Sequence, residues 1–548
     1  MYARTSRRAG LAVAGAIAAA AALLLSACGG GGGSATGGDL PGSSTYVIAI
    51  PQDFQGVDRA SYSSEASKVL ADVMQSRLLE FETDASTPTS CLSEVPTPLK
   101  PQTALVEKWA VTPDGLGIDI TLRNGVLSSA GNTLTAEDVS WTLDRAVAID
   151  AGAQTLFFKV GGFDRAKPVT VLDPAHLRMN LVARNAMAPY VLASVAGIIL
   201  DSADVRAHAT PADPWGKDYL TDNTANFGPW NLTAFTSQQL TFDRNPNFTG
   251  TRGNIDQILL QTVADASSRI QLLQSGQVAE VTNLDYTQLE HLRDSDAVNL
   301  AECANPARDW LGLNAADPIV GKPEVRQAIS YALDRNAINQ AVYRGFAQPS
   351  AGGLSAQFGA PAPNPDPYTR DLDKARKLLA AAGHPDGFTL NLSVSPAQPG
   401  PHSANLAAIV QQQLGEVGIR VNVVTVPSAV QFRSDGLAHT MQSWLLAETP
   451  AFANAGYSGW LTNGCAGLQN YAGYCNPEFD ALTAELMADS AGPEARATTD
   501  AVAALIAAQQ PAVYLADRST INIRSVCAEQ VPASSFGTDY TEANTRCQ

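Results

Sequence analysis

Strand-like and helix-like apolar patterns alternate from residue 46 to residue 426, and that alternation restricts the chain to the α/β class. The first run, Tyr46-Val47-Ile48-Ala49-Ile50, reads as a buried strand ended by Pro51-Gln52-Asp53. Val69, Leu70, Val73 and Leu78 fall at helical spacing and predict a helix over 65–81. Residues 105–122 read as a hairpin: Pro113-Asp114-Gly115 supplies the turn, and Ile118, Ile120 and Leu122 alternate on the return. Thr135-Ala136-Glu137-Asp138 resembles a capping box and starts a helix through Val139, Leu143 and Val147. Further helices are predicted over 265–275, 373–382 and 404–414, and one opens at Lys322-Pro323-Glu324, where Pro323 suits a first turn. Strands are predicted at 390–394 and 421–426.

At 548 residues the chain is too long for one simple core, so two or three lobes are expected. A formal charge of −17 argues against nucleic acid, which selects basic patches. Acidity alone names no ligand, because solubility explains it equally well.

The N-terminus carries an address. Arg4, Arg7 and Arg8 precede an apolar run over 11–25 that is too short and Ala-rich to remain as a spanning helix. Leu25-Ser26-Ala27-Cys28 resembles the lipobox of bacterial lipoproteins, which implies cleavage before Cys28 and a lipid on its sulfur. An ordinary secretory peptide is the alternative, and Ser6-Arg7-Arg8 leaves twin-arginine export open. Two acyl chains hold a protein stably at a membrane where one does not. Residues 1–27 are read as the signal peptide and 28–44 as a Gly/Ser/Thr leash. No later apolar run is long enough to span a bilayer.

Of seven cysteines, Cys28 is assigned to lipid. The other six suggest structural disulfides in an exported chain. Proximity favours Cys465–Cys475 and Cys527–Cys547, leaving Cys91–Cys303 by elimination. Without a CxxC, or a histidine at ligand spacing, no metal or cofactor is expected.

Several blocks then occur in one order. Residues 104–145 give a strand, an Asp-Gly turn, a second strand and a Thr-Ala-Glu-Asp-Val helix. Residues 227–250 carry Gly-Pro-Trp and Arg-Asn-Pro-Asn-Phe-Thr-Gly. Residues 268–281, 310–346, 372–388 and 470–482 follow, the last with Asn-Tyr-Ala-Gly-Tyr-Cys-Asn-Pro. Together they resemble the family 5 extracytoplasmic solute-binding proteins of ABC importers, the oligopeptide, dipeptide and nickel group. The resemblance implies a type II periplasmic-binding-protein clamshell, with two lobes plus an inserted extra domain. Lobe I is expected from 45–75, 226–307 and 516–548, the inserted domain from 76–225, and lobe II from 308–515. It further implies a monomer that carries a peptide or other small solute to a membrane permease, without a chemical step.

In peptide-binding members a Trp-x-x-Asp element sets an Asp against the ligand's ammonium. Here Trp444 has Ala447 at that spacing, with Glu448 one position later. Dipeptide binders add an Arg clamp where this chain has Ala404, with His402 nearby. Candidate ligand contacts are therefore Asp53, Trp444, Glu448, Tyr457 and Trp460; Trp444 reads equally as core and Tyr457 and Trp460 equally as loop packing, while a strand-ending Asp such as Asp53 is more often a turn former. The departures leave room for longer peptides or a non-peptide solute such as a sugar, a metal chelate or a glutathione-like molecule. Two rivals stand beside transport. One is an exported hydrolase, for which no GxSxG, HExxH or SxxK motif stands out, although a carboxylate pair leaves no motif. The other is a sensor using the same fold.

Overall fold

A computed structural model describes residues 45–547 except 53, 55, 59–64, 75, 82–100, 152, 304–306, 351–353, 356–367, 449, 490–491, 530 and 535. The lipobox with Cys28, and also Asp53 and Cys91, lie outside the described residues.

Two large sheets organise the chain. The first has seven strands in the order Val298–Cys303, Thr520–Ser525, Glu280–Val281, Thr45–Ile50, Gln257–Thr262, Gln239–Arg244 and Trp230–Phe235. Thr45–Ile50 runs parallel to both of its neighbours, as its largely apolar run suits. The second has six strands in the order Ala347–Pro349, Ala512–Arg518, Arg308–Leu313, Ser443–Glu448, Thr389–Val394 and Arg420–Thr425. Thr389–Val394 is parallel to both of its neighbours, while Arg308–Leu313 is antiparallel to both of its own.

The chain passes from the first sheet to the second between Cys303 and Arg308, and returns between Arg518 and Thr520. The crossings lie side by side, because Cys303 is opposite Thr520 in one sheet and Arg308 opposite Asp517 in the other. Two adjacent antiparallel connections of this kind form a hinge.

A separate four-stranded antiparallel sheet, in the order Val106–Val111, Gly117–Leu122, His176–Asn180 and Val169–Val171, lies in sequence between the first-sheet strands Thr45–Ile50 and Trp230–Phe235. Its first turn forms as the residues predict. Gly115 takes φ +73°, and Asp114 Oδ1 accepts from Thr112 Oγ1 at 2.6 Å and from Leu116 N at 3.0 Å. The following helix is Ala136–Ala148, and Asp138 Oδ2 accepts from Thr135 N and Oγ1 at 2.8 and 2.9 Å.

The predicted helices appear as Ala266–Gln274, Pro323–Ala332, Leu372–Ala381 and Ser403–Gly415. One expectation changes. The helix read over 65–81 ends at Met74, and Leu79–Phe81 is a strand paired with Pro101–Thr103. Alternating burial of Leu79 and Phe81 around exposed Glu80 is the strand signal that Leu78, taken on helical spacing, concealed. Cys465–Cys475 and Cys527–Cys547 are disulfides, and Cys303 is also disulfide-bonded.

Candidate functional site: the interlobe hinge

In open α/β sheets, ligands bind outside the carboxyl ends of the parallel strands. Those ends are Ile50, Thr262 and Val281 in the first sheet, and Val394, Thr425 and Glu448 in the second. Aromatic contacts join segments that flank the two sheets. Asp285 caps the helix Tyr286–Leu292, which seats Tyr286 just beyond Val281. Its ring centroid is 5.1 Å from both Tyr343 and His402.

Arg308-Asp309 opens the second sheet at one crossing, and Asp517-Arg518 closes it at the other. Consecutive strand residues point to opposite faces, so each dipeptide divides its charges between the faces. On one face Glu448, Arg308 and Asp517 stand in a row across three strands. Arg308 Nε and Nη2 donate to Glu448 Oε2 at 3.2 and 2.6 Å, and Ser458 Oγ donates to Glu448 Oε1. The guanidinium also lies 3.8 Å from the centre of the Tyr514 ring. Burial alone would lower the pKa of Arg308, but Glu448, Tyr514 and Asp517 outweigh it and hold the cation charged.

Burial pushes the Asp517 carboxyl up to about 6, against the pull of Arg308 and of the Ser350 hydroxyl. The folded, ligand-free chain therefore holds a proton near pH 5 that the unfolded chain has lost. The resulting stability is fully present below the unfolded value of 3.8 and is lost as pH rises through about 6. Asp517→Asn cannot ionise. It is expected to gain on the order of 2 kcal/mol on the parent protein between about pH 4 and pH 7.5, read by urea unfolding at both. Parallel pH profiles for the two proteins would contradict this assignment.

On the opposite face Asp309 is fully buried, and its Oδ2 meets Tyr343 Oη at 2.8 Å and His402 Nε2 at 2.5 Å. Arg518 Nε lies 2.9 Å from its Oδ1. Burial would raise this carboxyl, but Arg518, His402 and Tyr343 together hold it below its ordinary value. Burial likewise pushes the Tyr286 hydroxyl up to about 12.

Trp444 is fully buried, 6.1 Å from both Trp310 and Tyr471 by ring centroid. Glu448 is fully buried in the Arg308 pair. Tyr457 is buried and stacks on Phe452 at 4.5 Å, which in turn lies 5.8 Å from Tyr190. Trp460 is half-buried, 6.5 Å from Tyr457. Glu448, Ser458 and Tyr457 thus come together, while Trp444 sits deeper along the same strand. Sequence reasoning passed over Arg308, Asp309, Asp517, Arg518 and Ser350. The available signal was the pair of mirrored dipeptides, Arg-Asp and Asp-Arg, each set beside apolar residues.

The sequence profile of the bacterial extracellular solute-binding proteins, family 5 Middle, matches residues 100–470. The chain belongs to this family. The glutathione-binding protein GsiB of Pectobacterium atrosepticum is 24% identical over 501 residues, covering 87% of this chain and 90% of that one. GsiB of Escherichia coli O1:K1 is 25% identical over 408 residues, covering 71% of this chain and 75% of the relative. Among solved structures, the dipeptide binding protein of Pseudoalteromonas sp. SM9913 in complex with Met-Leu superposes with a TM-score of 0.80 at 20% identity, covering 91% of this chain and 100% of that one. These likenesses place the family 5 chain in the type II clamshell fold. Its relatives are solute-binding proteins, and it is a binding protein rather than an enzyme. Proteins of the family are extracytoplasmic and work with ABC permeases. Among the described residues, no helix is long and apolar enough to cross a membrane.

Proposed function

We propose that the chain is anchored through a lipid on Cys28, captures a peptide or peptide-like solute between its lobes, and delivers it to the permease of an ABC importer. The observation that carries this reading is the convergence of the parallel-strand ends of both sheets on a double-stranded hinge. A solute held there touches both lobes and stabilises the closed form by its differential affinity. The lobes proposed are 45–75 and 226–307 for lobe I, 76–225 for the inserted domain and 308–515 for lobe II as read from sequence, except that 516–518 complete the second-sheet strand Ala512–Arg518, so the last part of lobe I begins after Arg518 and not at 516. Trp460, which keeps exposed surface beside the inserted segment, is the aromatic contact proposed for the solute. Trp444, Glu448 and Tyr457 form the wall behind it, and Asp53 remains a candidate on the opposite lobe.

The names of the relatives favour this solute class: GsiB is named for glutathione, and the structural neighbours hold Met-Leu or the peptide STSA. A second reading, a non-peptide solute, is favoured by one feature. Glu448 already has Arg308 as its ionic partner, and Ala447 and Ala404 offer no charge. A neighbour carrying Ni(L-His)2, with a TM-score of 0.72, keeps that class in view. Native mass spectrometry of protein purified without denaturation separates the two. A retained peptide-range mass that fragments into amino-acid residues is expected, and a retained sugar or metal chelate would overturn the peptide reading.

A further inference from the structure

We propose that one end of the four-stranded sheet is a docking tip for a bilayer of anionic phospholipid. The proposal goes beyond solute capture and takes from that reading only the tether at Cys28.

Strand register gathers this end. Val111 stands opposite Ile118 and Gly117 opposite Asn180, so the turn 112–116 and the chain beyond Asn180 leave the sheet together. Leu181 N donates to Leu116 O and Val182 N to Gly162 O, both at 2.9 Å, and Asn180 Nδ2 donates to Lys167 O at 2.8 Å. The turn 112–116, the loop 161–168 and residues 181–184 are therefore neighbours. Val111, Leu116 and Val182 are exposed there, Val182 to 68%. Single exposed apolar residues are ordinary, but a group of them on adjoining turns is the kind of patch that marks a contact. Beside them Lys159, Arg165, Lys167 and Arg184 are all exposed. Arg184 crosses the first turn, its Nε donating to Asp114 O at 3.1 Å. Arg165 lies 5.3 Å from the centre of the Phe158 ring and donates to Gln154 Oε1 at 2.7 Å. None of these four cations is in an ion pair among the described residues. Arg145, Arg178 and Arg206, by contrast, pair with Asp58, Asp119 and Glu137. The acids at the tip, Asp114 and Asp164, accept from the turn amides of Leu116 and Ala166.

Charge selects the partner. The chain carries a formal charge of −17, so an anionic surface repels most of it and attracts this tip. Each Lys or Arg near such a surface strengthens the contact about fivefold. Long cationic side chains keep their charge among the headgroups while the apolar side chains between them reach the acyl boundary. Residues 28–44, when extended, span at most about 60 Å, so a tethered body stays within reach of its bilayer.

The test places the full chain on vesicles of phosphatidylcholine, alone or mixed equally with phosphatidylglycerol. A polarity-sensitive dye is attached at Ala183→Cys, or as a control at Val430→Cys on the helix Ala429–Leu437. Parent protein treated with the same dye supplies the blank. The dye at 183 is expected to brighten and shift to the blue on the mixed vesicles only, and the dye at 430 on neither. Lys167→Glu with Arg184→Glu should lower the docking equilibrium by roughly twentyfold or more, since two cations at about fivefold each are lost. The same pair of changes should leave the melting shift with a peptide hydrolysate as it is in the parent protein. Equal signals on the two kinds of vesicle, equal signals at 183 and 430, or an undiminished signal in the double variant overturns the docking tip. A chain that washes off neutral vesicles but keeps the 183 signal on mixed ones overturns the tether and leaves the tip in place. A chain that washes off both overturns the tip as well.

Discussion

Arg308→Met is expected to cost about 3–5 kcal/mol of folding stability, the range for removing one partner of a buried ion pair. Both Arg308 and Glu448 are fully buried, so neither charge has water to fall back on. The substitution leaves the Glu448 and Asp517 carboxylates in one row without the cation between them. Arg308 is the largest influence holding Asp517 down, so the Asp517 carboxyl should also rise further above about 6. A second change, Glu448→Leu, removes the orphaned charge along with its partner. The double variant should recover much of the loss, because an apolar pair can replace a buried ion pair at little cost. Chemical denaturation of the three proteins reads both effects. A single-variant loss below about 1 kcal/mol, the range of an exposed pair, would mean that the row is wet rather than sealed.

Gly312→Ala should be nearly as damaging, at about 3 kcal/mol, the upper end of overpacking costs. Gly312 is directly opposite Trp444 in the second sheet. A Cβ at Gly312 would stand 2.1 Å from Trp444 Cε2 and 2.3 Å from its Nε1. The indole cannot step aside easily, since Trp310 and Tyr471 pack beside it. Trp444→Phe in the Gly312→Ala background makes room and should restore part of the loss. Near-ultraviolet circular dichroism and urea unfolding report the change, and an unperturbed Gly312→Ala protein would contradict this packing.

Local signals carried most of the fold. The turn at Asp114-Gly115 and the Asp138 cap lie within a few residues of their partners, so pattern alone locates them. The strand at Leu79–Phe81 was hidden because its partner, Pro101–Thr103, is distant and the apolar residues before it keep helical spacing. The site was harder. Trp444 and Glu448 stand out as an aromatic and an acid near a family motif, yet their surroundings come from remote strands. Arg308 is 140 positions from Glu448, and nothing local to either marks the pair. The Asp309 cluster draws on Tyr343, His402 and Arg518 and is invisible until the strands are in register. What a sequence can show of such a hinge is charge placed inside apolar strands, as in Ala307-Arg308-Asp309-Trp310 and Leu515-Ala516-Asp517-Arg518.

The central claim is that a peptide-like solute closes the lobes on each other. Its most direct test is the melting temperature of the purified chain with a peptide hydrolysate, set against sugars and nickel–histidine. A ligand that binds only the folded form at a hundredfold excess over its Kd adds about 2.7 kcal/mol. A clear upward shift with the hydrolysate, and none with the other two, is the expected result. A shift confined to sugars or nickel–histidine, or no shift with any of the three, would contradict it.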